Sequence, residues 1–88
     1  MHHRYFVSAI VEKSVVAVIE RCKGTLPDED LEELIGLARA GEPGIALESL
    51  ATQLYEDEVT VGADVLAAIE RLGRAMRLEP VVWERFAA

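Results

Sequence analysis

The chain has 88 residues and a mass of 9.7 kDa, the size of one small domain. That excludes a two-domain enzyme or any fold that needs a long sheet with covering helices. Apolar residues make up 51% of it, carried by ten Leu, ten Val, five Ile and twelve Ala, enough to bury an aliphatic core rather than stay disordered. Its net charge of −7 has the wrong sign for nucleic acid or an anionic membrane surface, where affinity comes from neutralising phosphates.

Helical periodicity dominates the pattern. A first helix is predicted over about Arg4 to Lys23, with Val7, Ile10, Val11, Val18 and Cys22 on one broad face and Ser8, Glu12, Lys13, Glu20 and Lys23 on the other. Its many β-branched residues lower helix propensity, so a pair of strands competes. The helical recurrence of charge and the lack of a turn signal favour the helix. On this phase Val16 and Ile19 fall on the polar side and mark an exposed apolar patch.

Gly24 ends that segment. Pro27 is predicted to open a second helix, since its missing N–H would be unpaired there anyway. Asp28, Glu29 and Asp30 follow in a first turn that favours anions. Leu31, Leu34, Ile35 and Ala38 form its apolar stripe, and Gly41 its stop. A third helix starts at Pro43, buries Ala46, Leu47, Leu50, Ala51 and Leu54, and ends near Tyr55 to Asp57. Val59, Thr60 and Val61 form an extended link.

The fourth helix begins about Ala63 behind Gly62, with Val65, Ile69, Leu72 and Met76 as its stripe and Leu66 and Gly73 beside it. Gly73 costs up to ~1 kcal/mol against alanine in a helix interior, which points to close approach of another helix. Glu79-Pro80 stops or kinks the chain, and Trp83 and Phe86 are predicted to pack back on the helices. The links are short. The expected fold is therefore all-α: one domain over residues 1–88, a small antiparallel bundle of four helices plus a short C-terminal helical turn.

The search for chemistry finds little. A single cysteine, Cys22, excludes an intrachain disulfide and a multi-cysteine zinc site. Arg21 and Lys23 flank it and favour its thiolate, but its place on the apolar face reads as core. His2 and His3, the only histidines, read as a tag remnant or a frayed terminus and leave no Ser-His-Asp or Cys-His pair. Gly41-Glu42-Pro43-Gly44 lacks the lysine and the spacing of a phosphate loop.

Asp28-Glu29-Asp30 and Glu56-Asp57-Glu58 are carboxylate-rich, yet adjacent acids on a helix diverge, and the first run lacks the glycine and distal glutamate of a calcium loop. No catalytic, cofactor or metal site is expected, and the chain reads as non-enzymatic. No run approaches the ~18 uncharged apolar residues of a membrane span. The stretch Tyr5 to Cys22 is broken by Glu12, Lys13, Glu20 and Arg21 and lacks a signal-peptide pattern, so a cytoplasmic location is expected.

Charge is unevenly placed. Residues 1–23 carry four basic and two acidic side chains, residues 24–70 twelve acidic and one basic (Arg39), and residues 71–88 four basic and two acidic. An acidic middle either keeps the chain soluble or attracts a basic partner. Asp28, Glu29, Glu32 and Glu33 lie at i, i+1, i+4 and i+5, away from Leu31, Leu34 and Ile35. Two like-charge pairs at i, i+4 each cost a few tenths of a kcal/mol. A face shaped only for stability mixes its signs, so a surface for a basic partner gains weight.

The stretch LIGLARAGEPGIALESLATQLYEDEVTV, followed by LGRAMRLEPVVW, resembles the MafI-type family of small bacterial immunity proteins. Gly41, Glu42, Pro43, Gly44, Ala46, Leu47, Glu48 and Leu50 carry the resemblance, with Leu54, Tyr55, Glu56, Leu72, Gly73, Met76, Leu78 and Trp83. It spans about Leu34 to Trp83. Ala51 stands where the pattern has Cys, and Gly62 where it has a capping Ser.

The resemblance implies an immunity protein of a polymorphic or contact-dependent toxin system. Such a protein binds the C-terminal domain of its cognate toxin one to one in the producing cell, without chemistry. Many such toxins are nucleases with basic clefts, which an acidic block suits because carboxylates can take the places of substrate phosphates. Gly41, Pro43 and Gly44 then build a turn, and Ala46, Leu47 and Leu50 pack. The toxin contacts fall to the acids Asp28, Glu29, Glu32, Glu33, Glu56, Asp57 and Glu58. The alternative is a non-enzymatic helical adaptor that dimerises through its first helix, marked by Val16 and Ile19, or binds another basic partner.

Overall fold

Helix-forming segments and the turns between them account for the chain. The computed structural model describes the backbone of residues 2–87 and the side chains of residues 9–87. The predictions for the side chains of His2, His3, Val7 and Ser8 lie outside the described residues. Within them the protein is all-α: α1 (His2–Glu20), α2 (Asp28–Arg39), α3 (Pro43–Glu56), α4 (Ala63–Ala75) and a short α5 (Val81–Glu84) that runs into a 3₁₀ turn at Arg85–Ala87. No strand occurs among the described residues, which leaves the paired-strand reading of the first segment without support. Lys23 and Leu26 form an isolated bridge.

The core centres on Val15, Ile19, Leu47, Leu50, Leu54 and Ile69, with Leu31, Leu34 and Ala38 from α2 and Val82 and Trp83 from α5. The stripes predicted for the second and third helices are the buried or half-buried faces of α2 and α3. The fourth helix follows suit through Val65, Ile69 and Leu72, but its stripe is completed by Ala68 and by Gly73 itself.

The phase predicted for the first helix is corrected. Ile10 is half exposed, whereas Val16 is 8% exposed and Ile19 is fully buried. α1 packs against α2, α3 and α4, so several of its sides are covered at residues 15–19. A helix enclosed in this way has no single apolar stripe to read. The exposed patch on which the adaptor reading rested does not exist at Val16 and Ile19.

α2, α3 and α4 end in the same motif. In each, the residue after the C-cap takes a positive φ: Gly41 (+89°), Glu58 (+53°) and Arg77 (+58°). Its N–H and the next one fold back on the last turn. Glu42 donates to the Leu37 carbonyl at 3.0 Å, Val59 to Leu54 at 3.1 Å and Leu78 to Gly73 at 2.8 Å. Gly41, Glu58 and Arg77 donate to Ala38, Tyr55 and Arg74 at 3.1–3.2 Å. These paired bonds satisfy terminal carbonyls, and Val59 and Leu78 then pack against the core.

At the helix starts, Pro43 is the first residue of α3 as predicted. Pro27 is instead the cap before α2, its carbonyl accepting the Leu31 N–H at 3.1 Å. The tail packs back as expected. A Cβ on Gly73 would lie 2.5 Å from Trp83 Cζ3 and 2.7 Å from Cε3, so the close approach is by an indole ring rather than by a helix backbone. Arg74 sits over the same ring, 5.3 Å from its centroid. Phe86 meets Tyr55 edge-on, with ring centres 6.0 Å apart.

Candidate partner-binding surface

Short links and helix ends gather the acids. A small cavity of about 50 Å³ is lined by Arg21, Cys22 and Thr25 after α1, Leu54 near the end of α3, Thr60 to Gly62, and Val65 in α4. Arg21 pairs with Asp64, in the first turn of α4. A groove of about 380 Å³ is shared by Glu20 and Lys23 at the end of α1 and by Asp28, Leu31, Glu32 and Ile35 of α2. The segment at the end of α1 therefore borders Leu54 of α3 and the start of α4 in the small cavity, and the first half of α2 in the groove.

The two predicted acidic clusters border different clefts: Asp28 and Glu32 line the groove, and Glu58 lines another. Asp28, Glu29, Glu32 and Glu33 are exposed along the first half of α2, and Glu56, Asp57 and Glu58 are exposed at the end of α3. None of the seven forms an ion pair among the described residues, where the two salt bridges are Arg21–Asp64 and Arg74–Glu70 (2.9 Å). The structure brings Asp28 and Glu32 into one groove and leaves Glu29 and Glu33 outside its lining. Glu58 has a second role as the left-handed residue that closes α3.

Glu20 was missed by sequence reasoning. Its charge was assigned to the polar face of the first helix, and only the fold sets it beside Asp28 and Glu32. The helix dipoles oppose some of these acids and favour others. The C-terminal end of a helix carries about half a negative charge, yet α1 ends on Glu20 and α3 on Glu56 and Asp57. The acids of α2 and α4 face positive helix starts and are favoured there.

Glu58 also lines a shallower cleft of about 250 Å³ with Leu54, Tyr55, Val59, Arg85 and Phe86. There the chain supplies its own cation: the Arg85 guanidinium lies 5.3 Å from the centre of the Tyr55 ring.

Cys22 is a core residue. It is 3% exposed, and its Sγ donates to the Val18 carbonyl at 3.6 Å. Burial pushes its thiol above the ordinary value near 9.0, an effect the Arg21 charge partly offsets. Among the described residues no three His, Cys, Asp or Glu side chains are grouped to hold a metal. No helix there is long and apolar enough to cross a membrane.

No family model, no curated protein and no solved structure matches this chain.

Proposed function

We propose that this chain is an immunity protein that binds the basic C-terminal domain of a cognate bacterial toxin, a nuclease of a polymorphic or contact-dependent system, and protects the producing cell. Binding is one to one, in the cytoplasm, and involves no reaction on the chain's part. The observation that carries this reading is a set of exposed carboxylates, unpaired among the described residues, at two helix ends whose dipoles oppose them and along the acid-rich face of α2; in an antiparallel bundle these gather at one acidic pole. A face kept at a cost to its own stability suits complementarity with an opposite charge. The four longer helices, taken as an antiparallel bundle, form a rigid base for that pole, which lowers the ordering cost of binding. The family resemblance over Leu34 to Trp83 supports the same reading.

The test is genetic. A gene next to this one should encode a long secreted protein with a variable C-terminal domain, and expression of that domain should arrest growth. Co-expression of this chain should restore growth and yield a stoichiometric complex. A neighbouring toxin domain that this chain neither binds nor neutralises would contradict the reading.

A further inference from the structure

Two local choices run against helix stability: one lines the groove between α1 and α2, and the other follows Ile35 of its lining in sequence. Glu20 is the last residue of α1, where the helix dipole disfavours a carboxylate. Gly36 lies in the interior of α2 on an exposed face, and a Cβ there would meet nothing within 4 Å. Glycine is the weaker helix former, and no internal contact requires it. At i+4 from Glu32 and i+8 from Asp28, it continues their row along α2. Chains depart from the locally best residue where a site needs something else.

The groove has a definite chemistry. Leu31, 3% exposed, and half-buried Ile35 form an apolar floor. Glu20, Asp28 and Glu32 stand exposed around it, with Lys23 as the one cation of the lining. Lys23 pairs with none of the three among the described residues. The lining thus keeps a net negative charge over an apolar surface.

We propose that this groove receives an arginine or lysine side chain of the partner protein. The aliphatic stem lies on Leu31 and Ile35, the charged head sits among Glu20, Asp28 and Glu32, and the partner backbone crosses α2 at Gly36. Long cationic side chains bury their stems on apolar surface while their heads meet carboxylates. A purely acidic patch would take any cation, whereas this floor selects a long-stemmed one. The cleft beside Glu58 is less suited, because Arg85 already lies there against Tyr55.

This inference rests on the reading of the chain as a binder of a basic protein, and its test is kept separate. The full chain is titrated at low salt with an acetylated, amidated hexa-arginine peptide and followed by backbone NMR. Shifts should concentrate on residues 20–23 and 28–36. The Glu20→Gln/Glu32→Gln double variant should bind about tenfold more weakly. Gly36→Ala should also bind less well while its thermal midpoint rises, a split that a purely structural glycine would not produce. A short-stemmed diaminobutyrate peptide of equal charge should bind several-fold more weakly than hexa-arginine.

Shifts spread evenly over all acidic segments or centred on residues 56–58 would overturn the proposal, as would a double variant that binds like the native chain. If the toxin domain is still bound in that event, the groove fails and the functional reading stands. If the native chain binds no such domain, the functional reading itself fails.

Discussion

Gly73 lies under the Trp83 ring at a distance no side chain could share. Alanine there would recover about 1 kcal/mol of helix propensity. Its Cβ would meet a rigid aromatic ring rather than the end of a flexible chain, and overpacking costs about 1–3 kcal/mol. Gly73→Ala should therefore lower stability by up to about 2 kcal/mol in urea unfolding; a gain would mean that the indole is free to move aside.

Cys22 gives a pH signature. Burial holds its folded-state thiol above the unfolded value, so the unfolded chain loses the proton first as pH rises. The resulting stability is fully present below about pH 9 and declines as pH climbs through the folded-state value. Urea midpoints measured from neutral to strongly alkaline pH should fall more steeply for the native chain than for Cys22→Ala. Parallel curves would show that the thiol ionises alike in both states.

At the scale of the element, α1 and α3 hold the fold together, because each touches the three other long helices. Ile19 of α1 is fully buried, and Ile19→Ala should cost about 2–5 kcal/mol in the isolated protein. Unchanged stability together with loss of a dimer would revive the interface that the sequence pattern suggested. α2 and α3 were legible because each buries one face, so Leu31, Leu34 and Ala38, or Ala46, Leu47 and Leu50, recur at helical spacing. α1 was not, because a β-branched run covered from several sides has no phase of its own.

The end of α3 near Tyr55 to Asp57 was legible without a glycine, but the left-handed residue that closes a helix was legible only where glycine marked it. Gly41 announced its turn, but Glu58 and Arg77 occupy the same conformation without the residue that signals it, at about 1–2 kcal/mol each. The candidate surface was legible as a count of charges. The groove was not, because Glu20 and Glu32 are joined only by the turn of seven residues, 21–27, that separates α1 from α2.

For the whole molecule, charge is unevenly placed along the chain: twelve acidic side chains against one basic over residues 24–70, and four basic against two acidic over residues 71–88. Such a body orients as it approaches a basic surface, and the attraction is screened within about 10 Å at moderate salt. The most direct measurement is the association rate constant with the proposed partner, a toxin domain sought beside this gene, followed across ionic strength. It should fall by about tenfold or more from low to high salt, with dissociation changing much less, and neutralising Glu20, Asp28, Glu32, Glu56 and Asp57 should flatten that dependence. An association rate indifferent to salt, and unchanged in the neutralised variant, would contradict the claim that this protein works through its acidic pole.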